Sequence, residues 1–351
     1  MYSHILLPLD NSDWAPLCVQ VAIDIGRKTS CREIVGMHVY AASLHDRAFQ
    51  RMEAGLPANY QEPAELARQR RIHDGLIRHG LELISHSYLE DFSRRTSEAG
   101  VQSSSKVVEG KHFHEIAAEA NRNGYDLVVL GARGLGKFEQ APVGSVCERA
   151  VRRMRKDVLV VRHVDGMEGG RILAGIDGSD YSFQALKKAL FLARAYNSQV
   201  EAIYVYDPFF HDVAFSRLAE VLSPEAASVF RFQEQQKLHD EIINMGLSKV
   251  GEGYLRQARA LAAQHGVDLH TKILSGKIFA TFLEHVEQTR PALVVMGRYG
   301  LHFTPGAEIG SNAENIYRLA PTNVLICAGG DAGHASSSQD SGVAEAEKAS
   351  A

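Results

Sequence analysis

Leu127-Val128-Val129-Leu130-Gly131-Ala132-Arg133-Gly134 is answered 166 residues further on by Leu293-Val294-Val295-Met296-Gly297-Arg298-Tyr299-Gly300. In each stretch a short apolar run ends on a glycine, and a second glycine follows three positions later. Nine residues after that comes Gly144-Ser145 in the first stretch and Gly310-Ser311 in the second, so the spacing G-x-x-G-x9-G-S occurs twice. The loop interiors differ almost completely while the spacing holds. Other pairs share the offset: Val39-Tyr40 with Val205-Tyr206, Gly100-Val101 with Gly266-Val267, Gly110-Lys111 with Gly276-Lys277, and Val158-Leu159 with Val324-Leu325. Near the start the register slips by one, so that Asp10 answers Asp177. A long ungapped self-match of this kind reads as a duplicated domain.

Within each copy, short apolar runs alternate with helical stretches, the pattern of an α/β fold whose parallel sheet is covered by helices on both faces. The first copy predicts strands over 5–9, 34–40, 104–108, 127–130 and 158–161, and the second copy repeats all five. Trp14, Leu17, Cys18, Val21, Ala22 and Ile25 fall at three-and-four spacing, which puts one apolar stripe on a helix with Ser12 available as its cap. A long helical region follows the second strand in each copy, over 61–99 and 224–265. Its glycines (Gly75 and Gly80; Gly246, Gly251 and Gly253) predict a bend or break. The expected organisation is therefore a first domain over 1–163, a linker over 164–170, a second domain over 171–328 and a disordered tail over 329–351.

Length and composition agree with two domains: 351 residues, 45% hydrophobic, 23% charged. A formal net charge of -4 gives no general reason to expect nucleic acid as a partner. No apolar run approaches the roughly 18 residues of a membrane span, and the first residues read as a strand rather than a signal peptide, so a cytoplasmic location without membrane partners is expected. The four cysteines lie far apart and read as reduced packing thiols.

The glycine spacing carries the chemistry. At the carboxyl end of a parallel strand, glycines allow a sharp turn and bring backbone N–H groups close to a ligand. Gly144-Ser145 and Gly310-Ser311 then fall where the first unpaired N–H groups of a helix point outward, which suits a phosphate. Asp10 and Asp177 end their first strands at the same edge, where ligands of open α/β sheets bind. The alternative is that Asp10-Asn11-Ser12 and Asp177-Gly178-Ser179 merely cap the following helix.

These residues together resemble the universal stress protein family in its tandem form. The resemblance runs from His4 to about Cys327 and implies two tandem open five-stranded parallel sheets of order 3-2-1-4-5. It also implies binding of ATP or AMP, with magnesium as an optional companion. Carried over residue by residue, it places Asp10 and Val39 at the adenosine end, with Gly131, Gly134, Gly144 and Ser145 around ribose and phosphates. Asp177, Val205, Gly297, Gly300, Gly310 and Ser311 hold the same places in the second copy. Ala132-Arg133 conforms to the family's loop, whereas Arg298-Tyr299 departs from it. The implied role is a stress-response sensor or regulator. A slow ATPase or phosphoryl-transfer enzyme, and a scaffold for another small ligand, stand as alternatives; no catalytic or metal residue is assigned.

Other signals weigh less. Gly131 to Phe138 matches a P-loop until Phe138 stands where a magnesium-binding hydroxyl is required. Arg152, Arg153, Arg155 and Lys156 form a basic cluster near a helix end, where the dipole favours cations. Two His-Asp pairs, His45-Asp46 and His73-Asp74, recur 28 residues apart in the second copy as His211-Asp212 and His239-Asp240. Imidazole and carboxylate can bind zinc, but adjacent helical residues point about 100° apart, so His73 and Asp74 need help from elsewhere to meet one ion. The two halves are expected to associate as an internal pseudo-dimer, since each alone leaves an edge strand unmatched; a homodimer of chains is left open.

Overall fold

The computed structural model describes residues 1–136, 141–164, 166–208 and 232–329, with side chains left out over 232–244. Ten strands form one sheet: β1 (His4–Leu9), β2 (Glu33–Tyr40), β3 (Ser103–Glu109), β4 (Leu127–Gly131), β5 (Asp157–Val161), β6 (Arg171–Gly175), β7 (Gln199–Tyr206), β8 (Leu269–Ser275), β9 (Leu293–Gly297) and β10 (Asn323–Cys327). Their order is β3-β2-β1-β4-β5-β10-β9-β6-β7-β8. Each half thus runs 3-2-1-4-5 and is parallel throughout. The halves meet edge to edge where β5 and β10 pair antiparallel, Val160 opposite Val324 and Val158 opposite Ile326. What the sequence suggests as two open sheets is one continuous sheet with an internal two-fold relation, in which the β5 and β10 edges cover each other and β3 and β8 remain as the outer edges.

Helices α1 (Ala15–Thr29), α3 (Pro63–Glu98), α6 (Asp180–Tyr196) and α7 (Phe232–Gln264) cover one face; α4 (His112–Arg122), α5 (Ser145–Arg153), α8 (Ile278–Thr289) and α9 (Ser311–Leu319) cover the other. A shorter α2 (Ala42–Met52) packs against α3. Strand alternation sends Ile5, Leu7 and Leu9 to the first core and Leu6 to the second, and both cores run through the two copies. The stripe expected on α1 is the buried one: Cys18, Val21, Ala22 and Ile25.

Two local expectations fail for identifiable reasons. The long helix α3 is unbroken through Gly75 and Gly80, which both face open space, so nothing there drives a bend. In α7, Gly251 serves packing: a Cβ there would lie 2.2 Å from the Tyr204 ring. Ser12 does not cap α1, whose N-cap is Trp14 without a side-chain bond; the Ser12 hydroxyl is already committed to Asp10. In the second copy Ser179 does cap α6, accepting from the Ser182 N–H.

The seam between the copies is polar as well as apolar. Asp157, buried, accepts from Tyr2 Oη (3.0 Å), Lys188 Nζ (2.6 Å) and the Ala328 N–H (2.9 Å). Its counterpart Asn323 accepts from the N–H groups of Arg162 and His163. Arg162 reaches the end of α9 at the carbonyls of Tyr317 (2.7 Å) and Arg318 (3.1 Å), and Arg298 reaches Val151 O in α5 (2.9 Å). Each half therefore sends an arginine to the negative end of the other half's helix. Arg152 and Arg318 flank Glu148 and Glu314 across the same axis. The basic cluster is partly consumed there, while Arg149 and Arg153 lie over the Phe113 ring.

Cys18, Cys147 and Cys327 are buried free thiols, and burial pushes the Cys147 thiol up to about 12. Among the described residues no helix is long and apolar enough to cross a membrane. Lys137 and Phe138 of the P-loop-like stretch, His211-Asp212, and the tail beyond Gly329 lie outside the described residues.

Candidate functional site

The glycine loop and the first-strand aspartate come together in both copies. β1 lies between β2 and β4, so Asp10 leaves the sheet beside the loop that leaves β4. Asp10 Oδ1 accepts from the Ser12 N–H (3.0 Å) and Ser12 Oγ (2.5 Å), which fixes the carboxylate. Its Oδ2 faces Gly134 so closely that a Cβ there would lie 2.6 Å away. Only glycine lets the backbone approach this carboxylate. The loop closes when the Gly144 N–H donates to Ala132 O (2.7 Å), and α5 begins at Ser145, whose first internal bond runs from the Glu148 N–H to Gly144 O. The N–H groups of Ser145, Val146 and Cys147 precede that bond and so have no partner within the helix. Ser145 is exposed, Gly131 packs beneath Trp14, and Val39 is buried at the end of β2.

The second copy repeats this frame. Asp177 Oδ1 accepts from the Ser179 N–H (3.0 Å) and Oγ (2.6 Å), and a Cβ on Gly300 would lie 2.6 Å from Asp177 Oδ2. Gly310 bonds Arg298 O (2.9 Å), Ser311 opens α9, Val205 is buried in β7, and Gly297 lies against Tyr181.

Three differences separate the loops. Asp177 Oδ2 accepts from the Leu301 N–H (2.9 Å), whereas Asp10 Oδ2 has no hydrogen bond among the described residues. Tyr299 stands where Arg133 stands in the first copy, and it packs in an aromatic cluster, tilted against Phe303 (4.5 Å between centroids) and edge-on to Tyr181 (5.2 Å). Arg298 turns away from the loop into the seam, buried to 1% exposure. Among the described residues the first loop carries Arg133 and leaves Asp10 Oδ2 without a bond, whereas the second is aromatic and bonded to Asp177.

Two residues not singled out from the sequence face the first site. His38 pairs with Leu9 in the β1–β2 register, and His112 opens α4 after β3. Both lie within electrostatic reach of Asp10. Burial holds the His38 imidazole below its usual range, His112 adds to this, and Asp10 opposes it. Burial lowers His112 in the same way, again against Asp10. His38 Nδ1 is 2.8 Å from Ser85 Oγ, and its ring meets Tyr88 edge-on. The register signal was available in principle, since His38 precedes Val39 and His112 follows Gly110-Lys111. The second copy hides it by carrying Tyr204 and Ile278 at those places.

A parallel sheet of this order with a glycine loop at its carboxyl edge defines an open, doubly wound α/β domain, here built twice. The universal stress protein family model matches residues 1–162 and again 169–328, and the chain belongs to that family. Among curated relatives, universal stress protein MJ0531 of Methanocaldococcus jannaschii is 30% identical over 158 residues, covering 44% of this chain and 80% of that protein. Universal stress protein YxiE of Bacillus subtilis is 28% identical over 156 residues, 44% of this chain and 97% of its own length. Among solved structures, a universal stress protein from Archaeoglobus fulgidus aligns with TM-score 0.60 at 17% identity, covering 93% of this chain and 98% of that one. That likeness concerns the fold, and it extends over both copies.

Proposed function

We propose that this tandem universal stress protein binds an adenine nucleotide, ATP or AMP, in the loop of its first copy and acts as a cytoplasmic stress-response sensor or regulator. The observation that carries the reading is the open Asp10 Oδ2, held against Gly134 beside the start of α5. An acceptor fixed at one end and unpaired amides at the other match a ligand with hydroxyls at one end and phosphate at the other. Asp10 and Val39 take the adenosine end, and Gly131, Gly134, Gly144 and Ser145 surround the ribose and phosphates. Arg133, half-buried in the loop, adds positive charge. A magnesium ion accompanying a triphosphate would supply charge neutralisation, with Asp10 the carboxylate nearest to hand.

Asp177, Val205, Gly297, Gly300, Gly310 and Ser311 share the frame, but Leu301 already occupies the free oxygen and the aromatic cluster fills the loop. The first site is the principal one. Equilibrium dialysis of the nucleotide-stripped full chain against labelled ATP and AMP tests this. Saturable binding that weakens in Gly144→Val is expected, and no binding of either nucleotide would end the proposal.

A further inference from the structure

Away from the glycine loops, α2 and α3 bring three ligating groups together. One donor atom each from Asp46, His73 and Asp74 lies within 4.8 Å of the other two. His73 and Asp74 are neighbours on α3 and cannot close on an ion by themselves. The missing group comes from α2, which packs along α3 and delivers Asp46.

The cluster does not satisfy itself. Asp46 Oδ1 and His73 Nδ1 are both shut off from solvent and have no hydrogen-bond partner. His73 Nδ1 stands 3.8 Å from Asp74 Oδ1, beyond hydrogen-bond length. Polar atoms shut off from solvent and left without a partner call for an explanation such as an ion. The His73 ring is held in plane by Phe49, stacked at 4.3 Å and 23°.

We propose that Asp46, His73 and Asp74 form a binding site for a first-row divalent cation of the zinc class, which clips α2 to α3. One imidazole with two carboxylates suits such an ion; Ca²⁺ and Mg²⁺ favour all-oxygen sets, and soft Cu(I) favours sulfur. Three protein ligands leave the fourth tetrahedral position to water. Both His-Asp pairs recur at the same separation in the second copy, where their side chains lie outside the described residues. The site is separate from the nucleotide loop and stands or falls without it.

The test uses the full chain, stripped of metal by chelator and dialysed, titrated calorimetrically with Zn²⁺. The wild type should take up Zn²⁺, and Asp46→Asn and His73→Gln should each lose one equivalent per chain. His45→Gln, altering an exposed neighbour outside the cluster, should keep it. Circular dichroism checks the fold of each variant. Co²⁺ added to the wild type should give visible d–d absorption, and Zn²⁺ should raise its Tm. The proposal is overturned if folded Asp46→Asn and His73→Gln take up as many equivalents as the wild type. Should those two variants not fold, a wild type without d–d absorption or a Zn²⁺-dependent Tm shift overturns it equally.

Discussion

Replacing Gly134 by alanine would place a methyl carbon 2.6 Å from Asp10 Oδ2, well inside van der Waals contact. The atom that must yield is the far end of a side chain, so the fold should survive. The carboxylate cannot move freely, however, because its other oxygen is tied to the Ser12 N–H and hydroxyl. The open acceptor is therefore turned away from any ligand or buried under the new methyl. A hydrogen bond to a charged acceptor is worth about 1.5–3 kcal/mol, and each 1.4 kcal/mol is about tenfold in affinity. Gly134→Ala should thus weaken ATP and AMP binding roughly 10- to 150-fold by calorimetry. Gly136→Ala, whose Cβ would meet open space, is the control and should bind as the wild type does. Gly300→Ala makes the same clash with Asp177 in the second copy and should leave nucleotide affinity unchanged. Wild-type affinity in a folded Gly134→Ala chain would refute the reasoning.

The seam and the histidines give further tests. Asp157→Ala strips the acceptor from three donors, two of them in the other copy, and should cost about 3–5 kcal/mol in urea denaturation because Lys188 loses its buried partner. Arg298 is buried with Nε and one terminal nitrogen unpartnered, so Arg298→Met should leave the Tm unchanged or raise it; a loss of more than about 2 kcal/mol would contradict this. His38 has a folded-state pKa below its ordinary 6.5, so its contribution to stability is full above 6.5 and is lost as pH falls through the lowered value. His38→Gln should flatten the fall of Tm with acidification in that window, and an unchanged profile would count against the assignment.

Much of the fold was legible because duplication writes each strand twice: five apolar runs and their offset define both halves and their parallel character. The join was harder to read. Antiparallel pairing of β5 with β10 depends on Val158 and Val160 meeting Ile326 and Val324 across the axis, and edge pairing leaves no periodicity in the sequence. Glycines misled in α3 because helix propensity is a local quantity, whereas the helix is held by Leu89 and Phe92 against the sheet. At the candidate site, Asp10, Gly134, Gly144 and Ser145 were visible as spacing. His38 and His112 were not, since three strand ends bring them to Asp10 and only the fold knows those are adjacent. The commitment of Asp177 Oδ2 to Leu301 was equally invisible, being a bond from a backbone N–H to a side chain 124 positions away in the chain.

The most direct test is a crystal structure of the full chain grown with ATP or AMP. The account predicts phosphate density between Gly131–Gly134 and the start of α5, a sugar hydroxyl on Asp10 Oδ2, and an empty loop at Tyr299. Density confined to the Tyr299 loop, or no nucleotide in either copy at saturating concentration, would contradict it.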